Sequence, residues 1–203
     1  MLRIGLLSDT HSSINPRILE FFSGCDEIWH AGDIGNIETA DKLAAFKTLR
    51  AVYGNIDGTE IRKSYPKNQV FYCDDVKVLM THIGGYPGHY EKEVRQLIET
   101  EKPGIFISGH SHILKVMYDK KHELLHINPG AAGNSGFHHV ITCVRFVIDG
   151  KDIRDLEVFE KQRWKGIEGI DEIEGIEGIE GIDEIEGIDE IEGIEGNEGI
   201  ERI

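Results

Sequence analysis

The sequence predicts an α/β protein in which two mixed β-sheets form the core and helices lie outside them. In the first half, apolar runs typical of buried strands alternate with amphipathic helical patterns, an order that favours parallel βαβ units. In the second half, short apolar runs follow one another across turn residues, which is typical of antiparallel hairpins. The 203 residues are enough for one domain with a hydrophobic core and an appended segment.

The first half is predicted to hold three strands and two helices. The first helix begins at Pro16, because Asn15 is a favourable N-cap and proline suits the first position of a helix. The second helix spans Ile37–Phe46, with apolar side chains along one face. The predicted strands are Leu2–Leu7, Glu27–His30 and Leu49–Tyr53.

The second half is predicted to consist mainly of strands. Asp74-Asp75 and Asp149-Gly150 lie between apolar runs and therefore predict two hairpins. One helix, Glu91–Glu99, interrupts the strands. The predicted strands are Val70–Cys73, Val76–Thr81, Ile105–Ser108, Leu114–Tyr118, Leu124–Ile127, Val140–Ile148 and Ile153–Phe159.

Residues 166–203 differ in composition from the rest of the chain. They hold fifteen acidic residues and one basic residue, with isoleucine at almost every third position. A period of three gives no single apolar face on an α-helix of about 3.6 residues per turn, and nine glycines oppose a helix further. We therefore expect a domain at 1–165 and a disordered acidic repeat tail at 166–203. A partner-binding or repeat-stacking segment is the alternative.

Charge and cysteine content exclude some classes of protein. Outside the tail, 22 acidic and 21 basic residues nearly balance, so strong nucleic-acid binding is not expected. The cysteines, Cys25, Cys73 and Cys143, are odd in number and form no CxxC pair, which favours a reducing compartment. The apolar runs are too short for a membrane span. We expect a cytoplasmic protein without membrane association, and the oligomeric state is left open, with a homo-oligomer among the alternatives.

Seven potential metal ligands follow predicted strands, in five short motifs of the forms DxH, GD, GN, H and GHxH. Each motif alone is also compatible with a capping, turn or structural role. Their joint occurrence at the carboxyl ends of strands, where α/β sheets bind ligands, favours a metal site. Oxygen and imidazole donors without thiolate suit Mn, Fe, Zn, Ni or Co better than a closed structural zinc site. The seven residues are Asp9, His11, Asp33, Asn55, His82, His110 and His112.

This motif series resembles the calcineurin-like metallophosphoesterase superfamily. The Gly54-Asn55-Ile56-Asp57 form of the third motif and the late Asn128-Pro129-Gly130 segment are similar to its small phosphodiesterase branch, of the YfcE type. The resemblance covers about residues 1–160. It implies the metallo-dependent phosphatase fold, a four-layer α/β/β/α sandwich of two mixed β-sheets.

The resemblance also implies a hydrolase that uses two divalent metal ions, with Mn first among them. A hydroxide bridging the ions would attack a small phosphodiester substrate. Asp33, Asn55 and His110 are the residues it assigns to catalysis. By motif, the first ion is assigned to Asp9, His11 and His112, the second to Asn55, His82 and His110, and the bridge between them to Asp33.

One position departs from the superfamily pattern. Many members carry histidine directly after the Gly-Asn pair, where it can protonate the leaving group, but this chain has Ile56. General-acid catalysis is therefore in doubt, and the best rates are expected on activated aryl phosphodiesters. His89, in the glycine-rich loop after His82, is a candidate replacement, and a surface histidine that begins a helix is the alternative.

Further polar residues are expected around the site or in the core. Asp57 is interpreted as a loop-fixing residue near the site, with turn capping as the alternative, and Asn128 is expected to shape the pocket. His30 is expected in the core. The remaining histidines, expected to be structural or exposed, are His122, His126, His138 and His139.

Two other functions compete with a phosphodiesterase. A eukaryotic retromer subunit shares the implied fold and serves mainly as a binding module, so a non-catalytic metal-binding scaffold is one alternative. A phosphomonoesterase or a nuclease is the other. All seven ligand positions are filled, which favours the enzyme over the scaffold, and the balanced charge disfavours a dedicated nuclease.

Overall fold

The fold is taken from a computed structural model, which describes residues 1–135 and 139–163. The predicted tail at 166–203 and His138 lie outside the described residues. Helices α1 to α4 span Pro16–Phe21, Ile37–Phe46, Thr59–Ser64 and Lys92–Glu101. Strands β1 to β12 span Leu2–Leu7, Glu27–His30, Thr48–Ala51, Asn68–Cys73, Val76–Thr81, Gly85–Tyr86, His89–Tyr90, Ile105–Ile107, Leu114–Asp119, Leu124–Pro129, Val140–Asp149 and Asp152–Gln162.

Two five-stranded mixed sheets form the centre of the fold. The first has the strand order β12-β11-β1-β2-β3, in which β1, β2 and β3 are parallel, β11 is antiparallel to β1, and β12 is antiparallel to β11. The second has the order β4-β5-β8-β10-β9, with β5, β8 and β10 parallel. Both predicted hairpins, β4–β5 and β11–β12, are confirmed.

The main hydrophobic core lies between the two sheets. It combines inward-facing residues of β1, β2 and β11 with those of β4, β5, β8 and β10. Trp29 is fully buried there and packs edge-on against Phe71 and Phe146, at ring-centroid distances of 5.0 and 5.8 Å. Burial of an aromatic side chain of this size contributes roughly 2–3 kcal/mol to stability.

Helices cover the outer faces of both sheets. Ile18 from α1 and Phe22, the C-cap residue of α1, pack with Leu43 from α2 against the first sheet. Val94 and Ile98 from α4 pack against the second sheet. The expected four-layer α/β/β/α sandwich is therefore confirmed. Among the described residues, no helix combines the length and apolar character needed to cross a membrane.

Several strand limits differ from the predicted ones by one to three residues, and the other differences concern two helices and His89. Helix α4 begins at Lys92 rather than at Glu91, which is its N-cap residue. His89 lies in β7 and does not begin a helix, because β6 and β7 form a short antiparallel hairpin. Helix α3 was not predicted, since its six residues contain a single buried apolar side chain, Ile61, and therefore show no helical period.

Candidate metal centre

The seven predicted ligands converge at one edge of the two sheets. Asp9 and His11 follow β1, Asp33 follows β2 and Asn55 lies beyond β3. The remaining three, His82, His110 and His112, follow β5 and β8 of the second sheet. Because β1, β2 and β3 run parallel, as do β5 and β8, their carboxyl ends meet at the same edge.

The first group of donors is formed by Asp9, His11 and His112, whose candidate ligand atoms all lie within 4.8 Å of one another. Nε2 of His112 is 3.1 Å from Oδ1 of Asp9, and Nε2 of His11 is 3.9 Å from the same oxygen. The two histidine Nε2 atoms are 3.4 Å apart. This is a compact set of one carboxylate and two imidazoles.

The second group is formed by Asp33, His82 and His110, with the same 4.8 Å limit. Nε2 of His82 is 3.2 Å from Oδ2 of Asp33 and 3.1 Å from Oδ1 of Asn55. Nε2 of His82 also lies 4.0 Å from Oδ1 of Asp9 in the first group. The two groups are therefore adjacent.

The hydrogen bonds of His82 indicate a cation at its other ring nitrogen. Nδ1 lies 2.8 Å from the carbonyl oxygen of Ala31, so Nδ1 carries the proton and donates it. In a neutral ring Nε2 is then an acceptor, yet it faces the acceptor oxygens of Asp33 and Asn55. A nitrogen and two oxygens that are all acceptors repel one another unless a positive charge lies between them. A proton or a metal ion can supply that charge.

The acid–base balance of this group follows from the same geometry. Burial acts to lower the pKa of His82, but the hydrogen bond and charge of Asp33 and the charge of Asp9 outweigh it, so the pKa is raised. Burial acts to raise the pKa of Asp33, but the hydrogen bond from His82 and the N–H of Ile56 lower it overall. Asp33 is therefore a carboxylate at neutral pH.

The first group carries an independent sign that it fits a cation. Oδ1 of Asp9 is buried and accepts no hydrogen bond among the described residues. A carboxylate oxygen in that state would be destabilising by more than the roughly 1–3 kcal/mol of a neutral unsatisfied group. A divalent ion between this oxygen and the imidazole nitrogens of His11 and His112 would satisfy it. The donor set therefore fits a metal ion.

Strained backbone holds the candidate ligands in place. Five of the seven have left-handed backbone, with φ between 45° and 66°, which costs on the order of 1–3 kcal/mol per non-glycine residue. Hydrogen bonds between loops offset this cost, including those from Asp9 N to Gly32 O at 2.9 Å and from Gly109 N to His82 O at 2.9 Å. The five residues are Asp9, His11, Asp33, His110 and His112.

Two glycines of the motifs allow close approach at the centre. A Cβ atom at Gly54 would collide with the carboxylate and the backbone nitrogen of Asp33. A Cβ atom at Gly109 would collide with the hydroxyl of Ser8 and lie 3.0 Å from Oδ2 of Asp9. Glycine at these positions lets the loops after β3 and β8 pack directly on the two carboxylates.

Asp57 and Asn128 link the loops that carry the candidate ligands. Asp57 accepts hydrogen bonds of 2.7 Å from the backbone N–H groups of both Gly35 and Gly54. Asn128 donates to the carbonyl oxygen of Gly109 at 2.8 Å and to the hydroxyl of Ser111 at 3.1 Å. Neither belongs to the two groups of donors, but both bind residues next to proposed ligands, since Gly54 precedes Asn55 and Gly109 and Ser111 flank His110.

His89 lies apart from both groups of donors. It is exposed on the β6–β7 hairpin, and its ring lies 4.9 Å from that of Tyr86. The other histidines also lie outside the groups. His30 and His126 are buried, whereas His122 is half-buried and in ring contact with Tyr90 at 5.8 Å. His139 is exposed.

Sequence reasoning did not single out Thr10, Arg62 or the contacts of His30. Thr10 lies within the first motif, and its hydroxyl contacts both Nε2 of His30 at 2.9 Å and the carbonyl oxygen of Ile34 at 3.0 Å. Arg62 of α3 donates to the carbonyl oxygens of the third motif. The position of Thr10 inside a motif was an available signal, but for Arg62 the sequence offered none.

The sequence is similar to a phosphoesterase domain family and to probable metallophosphoesterases. The family model of the calcineurin-like phosphoesterase superfamily domain matches residues 2–151. A probable metallophosphoesterase of Methanocaldococcus jannaschii is 29% identical to this chain over 134 residues, which cover 63% of this chain and 67% of that protein.

Solved structures show the same fold. Vps29 of Entamoeba histolytica, complexed with Zn²⁺, has a TM-score of 0.62 and 16% identity, over 80% of this chain and 99% of its own. An archaeal phosphodiesterase has a TM-score of 0.61 and 21% identity, over 78% of this chain and 100% of its own. Since the family model spans most of the sequence, this chain belongs to the calcineurin-like phosphoesterase superfamily.

Proposed function

We propose that this protein is a metal-dependent phosphodiesterase that uses two divalent metal ions, with Mn²⁺ as the first choice and Ni, Zn, Fe or Co as alternatives. One observation carries the proposal: two compact groups of carboxylate and imidazole donors lie side by side, with Nε2 of His82 in one group 4.0 Å from Oδ1 of Asp9 in the other. Membership of a phosphoesterase superfamily supports hydrolysis of a phosphoester. The fold shared with an archaeal phosphodiesterase supports a diester substrate.

The proposed ligands divide between the two ions as the motifs imply. Bound ions would supply an activated water for attack on phosphorus and would neutralise charge on the phosphoryl oxygens. Asp33 is proposed as the bridge, because its lowered pKa keeps both oxygens free of protons at neutral pH. The first ion would be held by Asp9, His11 and His112, and the second by Asn55, His82 and His110.

The leaving group receives little help from the chain in this proposal. Ile56, which is 47% exposed beside Asn55, offers only its backbone N–H, and this donates to Oδ1 of Asp33 at 3.0 Å. His89 has its ring against Tyr86 on the exposed hairpin. A leaving group that departs without protonation needs a low pKa of its own, so aryl phosphodiesters are the expected best substrates.

The alternative is a non-catalytic metal-binding scaffold of the same fold, with a phosphomonoesterase as a further candidate. The solved Vps29 holds Zn²⁺, so metal binding alone does not distinguish a scaffold from an enzyme. The Mn²⁺-loaded protein should hydrolyse bis(p-nitrophenyl) phosphate faster than p-nitrophenyl phosphate or a simple alkyl phosphomonoester. Metal uptake without turnover would favour the scaffold, and faster turnover of the monoesters would favour a phosphomonoesterase.

The Asp33→Ala variant tests the assignment of the bridge. We expect kcat/KM on the aryl diester to fall by at least about 10²–10³-fold, the usual loss when one group that stabilises the transition state is removed. Asp41→Ala, which removes an exposed carboxylate on α2, is the matched control and should retain wild-type activity. Near wild-type turnover by Asp33→Ala with Mn²⁺ supplied would contradict the proposal.

A further inference from the structure

Two cavities open on either side of Ile83, the residue that directly follows His82. The first has a volume of about 320 Å³, and its lining includes Asn55, His82, Arg62 and Lys67. The second has a volume of about 210 Å³ and is lined in part by His110, Tyr86 and Ile113. Ile83 contributes to both and is 43% exposed. The two cavities therefore adjoin at Ile83.

Both cavities reach the second group of proposed ligands. Asn55 and His82 line the first cavity, and His110 lines the second. A phosphoryl group bound at these residues would therefore border both cavities. A phosphomonoester has one organic arm and would fill one cavity, whereas a phosphodiester has two arms that diverge from phosphorus. The paired cavities are complementary to a diester.

The first cavity is positively charged. Arg62 donates to the carbonyl oxygens of Asp57 at 2.6 Å and of Gly54 and Asn55 at 3.1 Å, all neutral groups that leave its charge in place. Lys67 forms an ion pair of 2.8 Å with Glu93, but these side chains are 59% and 75% exposed. Such an exposed pair is weak, so Lys67 can turn to a ligand at little cost.

The second cavity has an apolar rim, and the lysine and glutamate that line it, Lys115 and Glu91, are of opposite charge. Ile83, Tyr86 and Ile113 are 43%, 39% and 62% exposed, respectively, and all border it. Large apolar side chains grouped at the edge of a polar site are a recognised sign of ligand binding. Nζ of Lys115 lies 3.6 Å from the ring centroid of Tyr86, which holds this ring at the rim.

We propose that the substrate is an asymmetric phosphodiester with one negatively charged arm and one apolar arm. The charged arm contacts Arg62 and Lys67, and the apolar arm contacts Ile83, Tyr86 and Ile113. This inference rests on the proposed function. Water adds its oxygen to phosphorus and loses a proton, the bond from phosphorus to the oxygen of the apolar arm breaks, and the departing oxygen takes up a proton from solvent. The products are an apolar hydroxyl compound of low pKa, such as a phenol, and a phosphomonoester that retains the charged arm.

Two matched esters test the charged arm on the Mn²⁺-loaded full chain. Both release p-nitrophenol, and the second arm is 2-carboxyethyl in one and the neutral, similarly shaped 2-carbamoylethyl in the other. We expect kcat/KM to be about tenfold higher for the carboxyethyl ester, because its carboxylate can contact Arg62 and Lys67 in the first cavity. Lys67→Met should reduce this ratio to about threefold or less. Lys120→Met, at an exposed lysine in the β9–β10 turn, should retain the full ratio.

A second pair of variants tests the apolar arm. Ile83→Ser should raise KM for both esters about fivefold, because the p-nitrophenyl group loses apolar contact. Val158→Ser, at a residue of β12 that is also 43% exposed, should leave KM at the wild-type value. A uniform loss of activity with an altered circular dichroism spectrum would mark a folding defect, in which case Ile113→Ser tests the same rim.

The outcomes separate this inference from the proposed function. Equal kcat/KM for the two esters, or a Lys67→Met variant that slows both equally, would overturn the asymmetric-diester inference while diesterase activity stands. An unchanged KM in both Ile83→Ser and Ile113→Ser would overturn the assignment of the apolar arm. Failure of the Mn²⁺-loaded protein to hydrolyse either ester would contradict the proposed phosphodiesterase function itself.

Discussion

The buried histidine His30 stabilises two loops of the site through its hydrogen bonds. The N–H of Gly32 donates to Nδ1 of His30 at 3.1 Å, so Nδ1 is an acceptor and Nε2 carries the proton. Nε2 then donates to the hydroxyl of Thr10, which donates to the carbonyl oxygen of Ile34. Burial lowers the pKa of His30 to about 4, although the negative charges of nearby carboxylates act to raise it. This series of hydrogen bonds between uncharged groups connects the DxH loop to the loop after β2.

The Thr10→Val variant tests these hydrogen bonds at the residue scale. Valine has nearly the shape of threonine but accepts no hydrogen bond, so the N–H of His30 would be buried without a partner. We expect the free energy of unfolding at pH 7 to fall by about 1–3 kcal/mol. Urea titration of the protein, after removal of metal with a chelator, measures it. Thr48→Val, at an exposed position of β3, should change it by less than about 0.5 kcal/mol. An equal effect of the two substitutions would argue against a stabilising role for these hydrogen bonds.

At the scale of elements, the loops that follow β2 and β3 act as one unit because Asp57 joins them. Its two carboxylate oxygens accept from Gly35 N and Gly54 N, each at 2.7 Å. Arg62 of α3 donates to the carbonyl oxygens on either side of this link. The position of Asn55 is therefore set by groups that do not themselves belong to the proposed ligands.

We expect Asp57→Asn to weaken Mn²⁺ binding about 10–100-fold, the usual effect of losing a group that orients metal ligands. The amide of asparagine has one acceptor oxygen, and its NH₂ would face a second backbone N–H. Isothermal titration calorimetry of the metal-free protein measures the change in Kd. The control is Asp75→Asn in the exposed β4–β5 turn. A Kd within twofold of wild type for Asp57→Asn would show that the link does not position the site.

The sequence predicts the larger elements because they contain enough apolar residues to show the pattern of a strand or a helix. Strands β1 and β2 and helix α2 have the predicted limits, and parallel strands bring their following motifs to one edge. Helix α3 and the β6–β7 hairpin could not be read this way. Thr59–Ser64 has one buried apolar residue, and Gly85–Tyr86 and His89–Tyr90 have two residues each. Such short elements form through contacts with the rest of the fold, which local patterns do not encode.

The candidate site was predictable to a similar extent. The seven candidate ligands follow strands, and the motifs alone single them out; six of them lie in the two groups of donors. The tautomer of His82 and the hydrogen bonds of Asp57 depend on residues distant in the chain, Ala31 and Gly35. Contacts of that kind require the fold. The three-and-three division of ligands and the bridge at Asp33 remain predictions, and the two adjacent groups of donors are compatible with them.

At the scale of the whole molecule, the acidic repeat at 166–203 is proposed to be dispensable for chemistry. Both groups of donors and both cavities lie within residues 1–135. We expect a chain ending at Lys165 to keep kcat/KM on an aryl phosphodiester within about twofold of the full chain, a difference of about 0.4 kcal/mol. Steady-state assays of both forms at equal Mn²⁺ check this. A loss beyond tenfold, with unchanged circular dichroism, would give the repeat a part in the reaction.

The stability of the whole molecule should also depend on pH, through buried histidines in both sheets. His30 lies in the first sheet and His126 in the second, where its ring stacks on Phe106 at 5.2 Å. Burial lowers the pKa of His126 to about 4, and the charge of Lys115 acts in the same direction. The unfolded chain binds the proton more readily, so stability is fully present above about pH 6.5 and falls as the pH drops toward 4.

His126→Phe isolates one of these histidines, because phenylalanine keeps the stacking on Phe106 and cannot be protonated. We expect the wild-type free energy of unfolding to fall between pH 7 and pH 4.5 by about 2 kcal/mol more than that of the variant. Urea titrations at both pH values, after removal of metal with a chelator, measure the difference. The contribution of the carboxylates to the pH dependence is the same in both proteins and therefore cancels in this difference. His139→Phe is the control, since His139 is exposed and its replacement should leave the pH dependence as in wild type. Parallel pH profiles for wild type and His126→Phe would mean that His126 accepts a proton in the folded protein without cost.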